Sequence, residues 1–77
     1  MSTQNNPNTI ERARAQIRKV TKAADAYEVN FWLTRTIGYL EALEAEKLID
    51  GETARLLGAE LDRAREEATA CSVSPNH

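Results

Sequence analysis

Apolar and small residues recur through the first half of the chain at Ile10, Ala13, Ile17, Val20, Ala24, Tyr27 and Phe31. Their spacings alternate between three and four, which marks the stripe of a heptad-repeating helix. After Phe31 the stripe changes phase and passes to Leu33, Ile37, Leu40, Leu43 and Leu48, a slip of the kind a stutter produces. No Pro occurs between Pro7 and Pro75, and no Gly before Gly38. The pattern predicts one long helix from roughly Thr9 to Leu48, capped by Asn8 with Glu11 three residues on, or by Thr9. Between Tyr27 and Leu40 the apolar stripe is too wide for a two-stranded seam, so more than one neighbour should cover it. Thr34, Thr36 and Gly38 lower helix propensity in the same stretch, which leaves open a break near Thr36.

Asp50-Gly51 is a turn signal, and Asp50 is suited to cap a helix that follows. The second helix is expected from about Glu52 to Thr69, with Ala54, Leu57, Leu61, Ala64 and Ala68 facing inward. The polar leader, residues 1–8, and the aperiodic residues 71–77 read as disordered ends around a helical domain over 9–70. At 1.5 Å per residue the first helix is roughly 60 Å long and the second roughly 27 Å. A hairpin of such unequal arms leaves the seam of Ile10, Ile17, Val20, Tyr27 and Phe31 uncovered. The expected architecture is therefore all-α, a helical hairpin that dimerises into a four-helix bundle or a coiled-coil-like assembly. A break near Thr36 would instead give a compact three-helix monomer.

Length sharpens this picture. A chain of 77 residues holds one small domain, which as a monomer buries only about 60% of the surface its unfolded form exposes. One cysteine, Cys71, and one histidine, His77, provide neither an intramolecular disulfide nor the ligand set of a zinc site. No metal or other cofactor is expected. The N-terminus lacks the basic flank and apolar centre of a signal peptide, and no apolar run approaches the roughly 18 residues of a membrane span. The expectation is a cytoplasmic protein with no membrane partner.

Charge is unevenly spread although the net value is only −2. Arg12, Arg14, Arg18, Lys19 and Lys22 are opposed locally by Glu11 alone. They form a candidate surface for phosphate or for an acidic protein, or else a flank that pairs with the acidic segment of another subunit, Asp25 to Asp50. Trp32 projects about 100° away from Phe31 around the helix axis, so either the second helix covers one and a dimer mate the other, or one stays exposed as an anchor for a partner, with Trp32 the candidate. Isolated glycines make no phosphate loop, and no Ser, Cys or His stands where a nucleophile and base would be argued from spacing, so no catalytic residue is assigned. The resulting expectation is a small non-enzymatic interaction module, a regulator, adaptor or inhibitor of a larger protein. Its size and type suit an accessory protein of a bacterium or phage. The alternative is a nucleic-acid-binding helical dimer that uses the basic stretch.

Overall fold

The computed structural model describes residues 4–72, which form α1 (Pro7–Thr21), α2 (Ala26–Ala45) and α3 (Gly51–Ser72). The fold is all-helical, with no strand among the described residues. Of the ends expected to be disordered, 1–8 and 71–77, residues 1–3 and 73–77 lie outside the described residues, whereas Pro7 and Asn8 begin α1 and Cys71 and Ser72 end α3. Each helix packs against both others. Arg14 of α1 meets Glu60 of α3, and Asn5 before α1 meets Asp50 before α3. These pairings set α1 and α3 side by side in the same direction, with α2 running back between their ends.

The single helix expected from Thr9 to Leu48 is thus two helices, and the interruption falls at residues 22–25 rather than near Thr36. Its cause is a pair of reciprocal hydrogen bonds. The Asp25 carboxylate accepts from the Glu28 N–H at 2.8 Å, while the Glu28 carboxylate reaches back to accept from the Ala24 N–H at 2.9 Å. Asp disfavours the helix interior because its carboxylate competes for nearby backbone donors, and at an N-cap the same tendency stabilises. Asp25 and Glu28 act as a capping-box pair whose second arm lands one residue early. Before them α1 closes at Lys22, whose N–H bonds to the Arg18 carbonyl at 3.1 Å.

The start of α1 also differs from the expectation. Asn6, not Asn8 or Thr9, is the cap, its side chain accepting from the Asn8 N–H at 2.8 Å. Pro7 takes the first helical position, where its missing N–H costs nothing. The end of α2 is set by a Schellman motif. Leu48 N–H bonds to the Leu43 carbonyl and Lys47 N–H to the Glu44 carbonyl, at 2.8 and 3.0 Å, with Lys47 in the left-handed region at φ 63°. Asp50 caps α3 as expected, its carboxylate accepting from the Thr53 N–H at 2.8 Å.

A heptad of Val29, Leu33, Thr36, Leu40 and Leu43 turns the inner face of α2 toward Ala13, Ile17 and Val20 of α1 and Leu57, Leu61, Ala64 and Ala68 of α3. Ile49, in the loop, is also buried. Burying each of the larger aliphatic side chains contributes about 1.5–3 kcal/mol. Thr36 is the buried polar residue of this face, and its hydroxyl is satisfied by donating to the Trp32 carbonyl at 2.7 Å. Thr36 is therefore a core position inside an unbroken helix.

The length mismatch that called for a second chain disappears with the long helix. Ile17 and Val20 are buried within the single chain, and Ile10 packs against the same core. Tyr27 and Phe31, the other members of the expected seam, are 78% and 47% exposed. They continue the spacing of α1 in sequence only. The four-residue connection resets the helical phase, and α2 buries Val29 and Leu33 instead. No helix among the described residues is long and apolar enough to cross a membrane.

Candidate interaction surfaces

The five basic residues, Arg12, Arg14, Arg18 and Lys19 in α1 and Lys22 at its C-cap, are all exposed, but they do not form one free surface. Arg14 faces α3, where its Nε and Nη2 donate to the two carboxylate oxygens of Glu60 at 3.1 and 2.9 Å. This fork-to-fork arrangement raises the guanidinium pKa further, chiefly through the Glu60 hydrogen bonds and then its charge, with a smaller contribution from Glu11. Arg18 donates to Glu11, two turns back, at 3.1 Å. Lys19 faces α2, its Nζ lying 4.8 Å from the Trp32 ring centroid in a cation–π contact. Arg12 and Lys22 hold no ion pair among the described residues. The bundle therefore uses three of the five cations and splits them between two flanks of α1. The carboxylates that pair with this stretch here are Glu60 and Glu11 of the same chain, neither of which lies in the Asp25 to Asp50 segment raised above.

Trp32 is half-buried against the core, held between Lys19 and the ring of Phe31, which meets it edge to face with centroids 5.1 Å apart and planes 83° apart. Its neighbours on the outer side of α2 are different in character. Tyr27 and Phe31, one turn apart, flank a shallow depression of about 540 Å³ completed by Asn30, Thr34 and Arg35. The aromatic pair thus forms an exposed ridge that continues through Phe31 into the half-buried indole. Helical spacing on α2 alone, counted from Asp25 as its cap, would have shown that Tyr27 and Phe31 lie opposite Val29, Thr36 and Leu40.

Two further features were not singled out in the sequence. Asn5 clasps the α2–α3 connection: its amide nitrogen donates to the Asp50 carboxylate at 3.0 Å, its carbonyl accepts from the Asp50 N–H at 3.2 Å, and its own N–H donates to the Leu48 carbonyl at 2.8 Å. The Asp50 carboxyl is held below its ordinary pKa by the Thr53 N–H first and the Asn5 amide second. The second feature is a groove of about 490 Å³ between α2 and α3. Among the described residues no group of three or more His, Cys, Asp or Glu is placed to hold a metal ion. The perturbed carboxyl of Asp50 is accounted for by a helix cap, so it marks a structural junction. Compared with protein-family models, with curated proteins and with solved structures, the chain matches none.

Proposed function

We propose that this chain is a small non-enzymatic protein–protein interaction module that works through the aromatic ridge on the outer face of α2. The observation that carries the reading is the exposure of Tyr27 and Phe31, 78% and 47%, on a bundle whose core is already closed by other residues. Water contact with two aromatic rings on one rigid helical face is unfavourable, and covering them with a partner recovers that energy without ordering a flexible segment. Arg35 at the margin supplies a charged group of the kind found around such anchors. Regulation, adaptation or inhibition of a larger protein fits this mode. A second copy of the chain is another candidate occupant of the ridge.

The nucleic-acid reading has weaker support, because phosphate binding requires cations that are free and convergent. Arg14 and Arg18 are occupied by carboxylates, and Lys19 sits over an indole. Only Arg12 and Lys22 favour it. Affinity capture from a native extract, with and without nuclease, tests the proposal. A protein retained after nuclease by the unmutated chain, and lost with Phe31→Asp while helicity and thermal stability persist, is the expected result. Retention that nuclease abolishes, and that Arg12→Glu with Lys22→Glu removes instead, would overturn it.

A further inference from the structure

The groove between α2 and α3 shares no lining residue with the depression at the aromatic ridge. Its floor is apolar, made by Ile37 and Leu40 of α2 and Leu61 of α3. Ile37 is 43% exposed although it stands beside buried neighbours, so this part of the inner seam is unfinished. Gly58 also lines the groove, and a Cβ built there meets nothing within 4 Å, so the floor lies open at that position.

The rim has a definite sign. Glu41 and Glu44 of α2 and Asp62 of α3 stand around the floor, against Arg55 alone. None of these carboxylates holds an ion pair among the described residues. The groove extends from Ile37 to Glu44 on one side and from Ala54 to Asp62 on the other, about 12 Å, the length of two helical turns. An apolar floor with an anionic rim complements a helix that carries an aliphatic stripe flanked by Lys or Arg.

We infer that the α2–α3 groove binds a cationic amphipathic helix of a partner protein, with one aliphatic side chain of that helix seated over Gly58 and its basic residues against Glu41, Glu44 and Asp62. The chain's own α1 has this chemistry, but its apolar face is committed to the bundle core. The occupant is therefore supplied in trans by a different protein.

Fluorescence anisotropy with two designed peptides tests this. One is a fluorescein-labelled two- to three-turn helix with a leucine stripe flanked by lysines, and its twin has glutamates in place of the lysines. The lysine peptide is expected to bind the full chain, with affinity falling as salt rises, and the glutamate twin is not. Gly58→Leu sets a side chain over the floor and is expected to abolish binding. The pair Glu41→Lys and Asp62→Lys, exposed positions that leave the floor intact, is expected to weaken it about tenfold. Phe31→Asp should leave it unchanged, which separates this surface from the ridge. Equal binding of both peptides, or of the lysine peptide to the unmutated and Gly58→Leu chains, would overturn the inference. So would no binding at all, or self-association that Gly58→Leu removes, which would make a second copy the occupant.

Discussion

Asn5 and Asp50, 45 residues apart in sequence, are joined by two hydrogen bonds that tie the start of α1 to the start of α3. The contact is long-range and polar, and it aligns two helices that leave the same end of the bundle. Asn5 has φ 60°, a left-handed conformation that Asn tolerates better than most residues. Asn5→Ala should cost about 1–2 kcal/mol, because it removes both side-chain bonds and leaves a less suitable residue at positive φ. The pH dependence follows from the direction of the Asp50 shift. Its folded pKa is depressed, so its stabilising contribution is fully present above the unfolded value, about 3.9, and is lost as the pH falls through the lower folded value. Thermal melts should show the deficit of Asn5→Ala at its largest near neutral pH, narrowing below about pH 4. A deficit that stays constant down to strong acid would separate Asn5 from the Asp50 charge.

Lys47 occupies the position of the α2 Schellman motif that glycine usually fills, and its φ of 63° exposes it to the steric penalty of the left-handed region. Lys47→Gly should stabilise the chain by up to about 1 kcal/mol, the relief at Lys47 outweighing the greater freedom of an unfolded glycine. Chemical denaturation would register this as a higher midpoint with an unchanged slope. A fall in midpoint would mean that the lysine stem contributes packing there that outweighs its backbone strain.

Helical content, the capping of α3 by Asp50 and the inner stripe of α3 were legible in the sequence because each rests on local chemistry or on one uninterrupted period, although the chain turns at residues 46–49, just before Asp50-Gly51, where α3 begins. The division of α1 from α2 was written there as well, in Asp25 followed three residues later by Glu28 ahead of an apolar run. It was masked because Ala24, Tyr27 and Phe31 happen to prolong the heptad of α1 across the connection, with neither Gly nor Pro to announce a break. A periodicity signal cannot distinguish a continued helix from a new helix whose first exposed residues land in the old phase. That ambiguity turned Tyr27 and Phe31 from surface residues into an apparent seam, and it made a second chain look necessary. The clasp of Asn5 on Asp50 was not legible, since a polar residue in a polar leader has no pattern that distinguishes it. Nor were the partners of Arg14 and Lys19, which depend on how three helices are set side by side.

Arg14 and Glu60 offer a direct check on that arrangement. Both side chains are about half exposed, 48% and 40%, so the pair is screened and its worth is modest, about 0.2–1 kcal/mol even with good geometry. Arg14→Glu or Glu60→Arg alone should each lower stability, because each places like charges opposite one another. The double exchange should recover most of the loss, and the coupling should shrink as salt is raised. Strict additivity of the two reversals, measured in a double-mutant cycle by denaturation, would mean that α1 and α3 do not meet at these positions.

Gly38 lies on the exposed side of α2, and a Cβ added there meets nothing within 4 Å. Its backbone is helical with no positive φ, so none of the usual structural reasons for glycine applies within the chain. Gly38→Ala should therefore stabilise the bundle by about 1 kcal/mol, raising the melting temperature by about 4–8 °C for a domain of this size. The gain comes from restricting the unfolded chain at a site whose native conformation alanine adopts without strain. The same substitution leaves Tyr27 and Phe31 in place, about three and two turns away along the outer face, so capture of a protein through the ridge should survive it. A melting temperature that falls instead would show that alanine at this position disturbs α2, contrary to the open space around it.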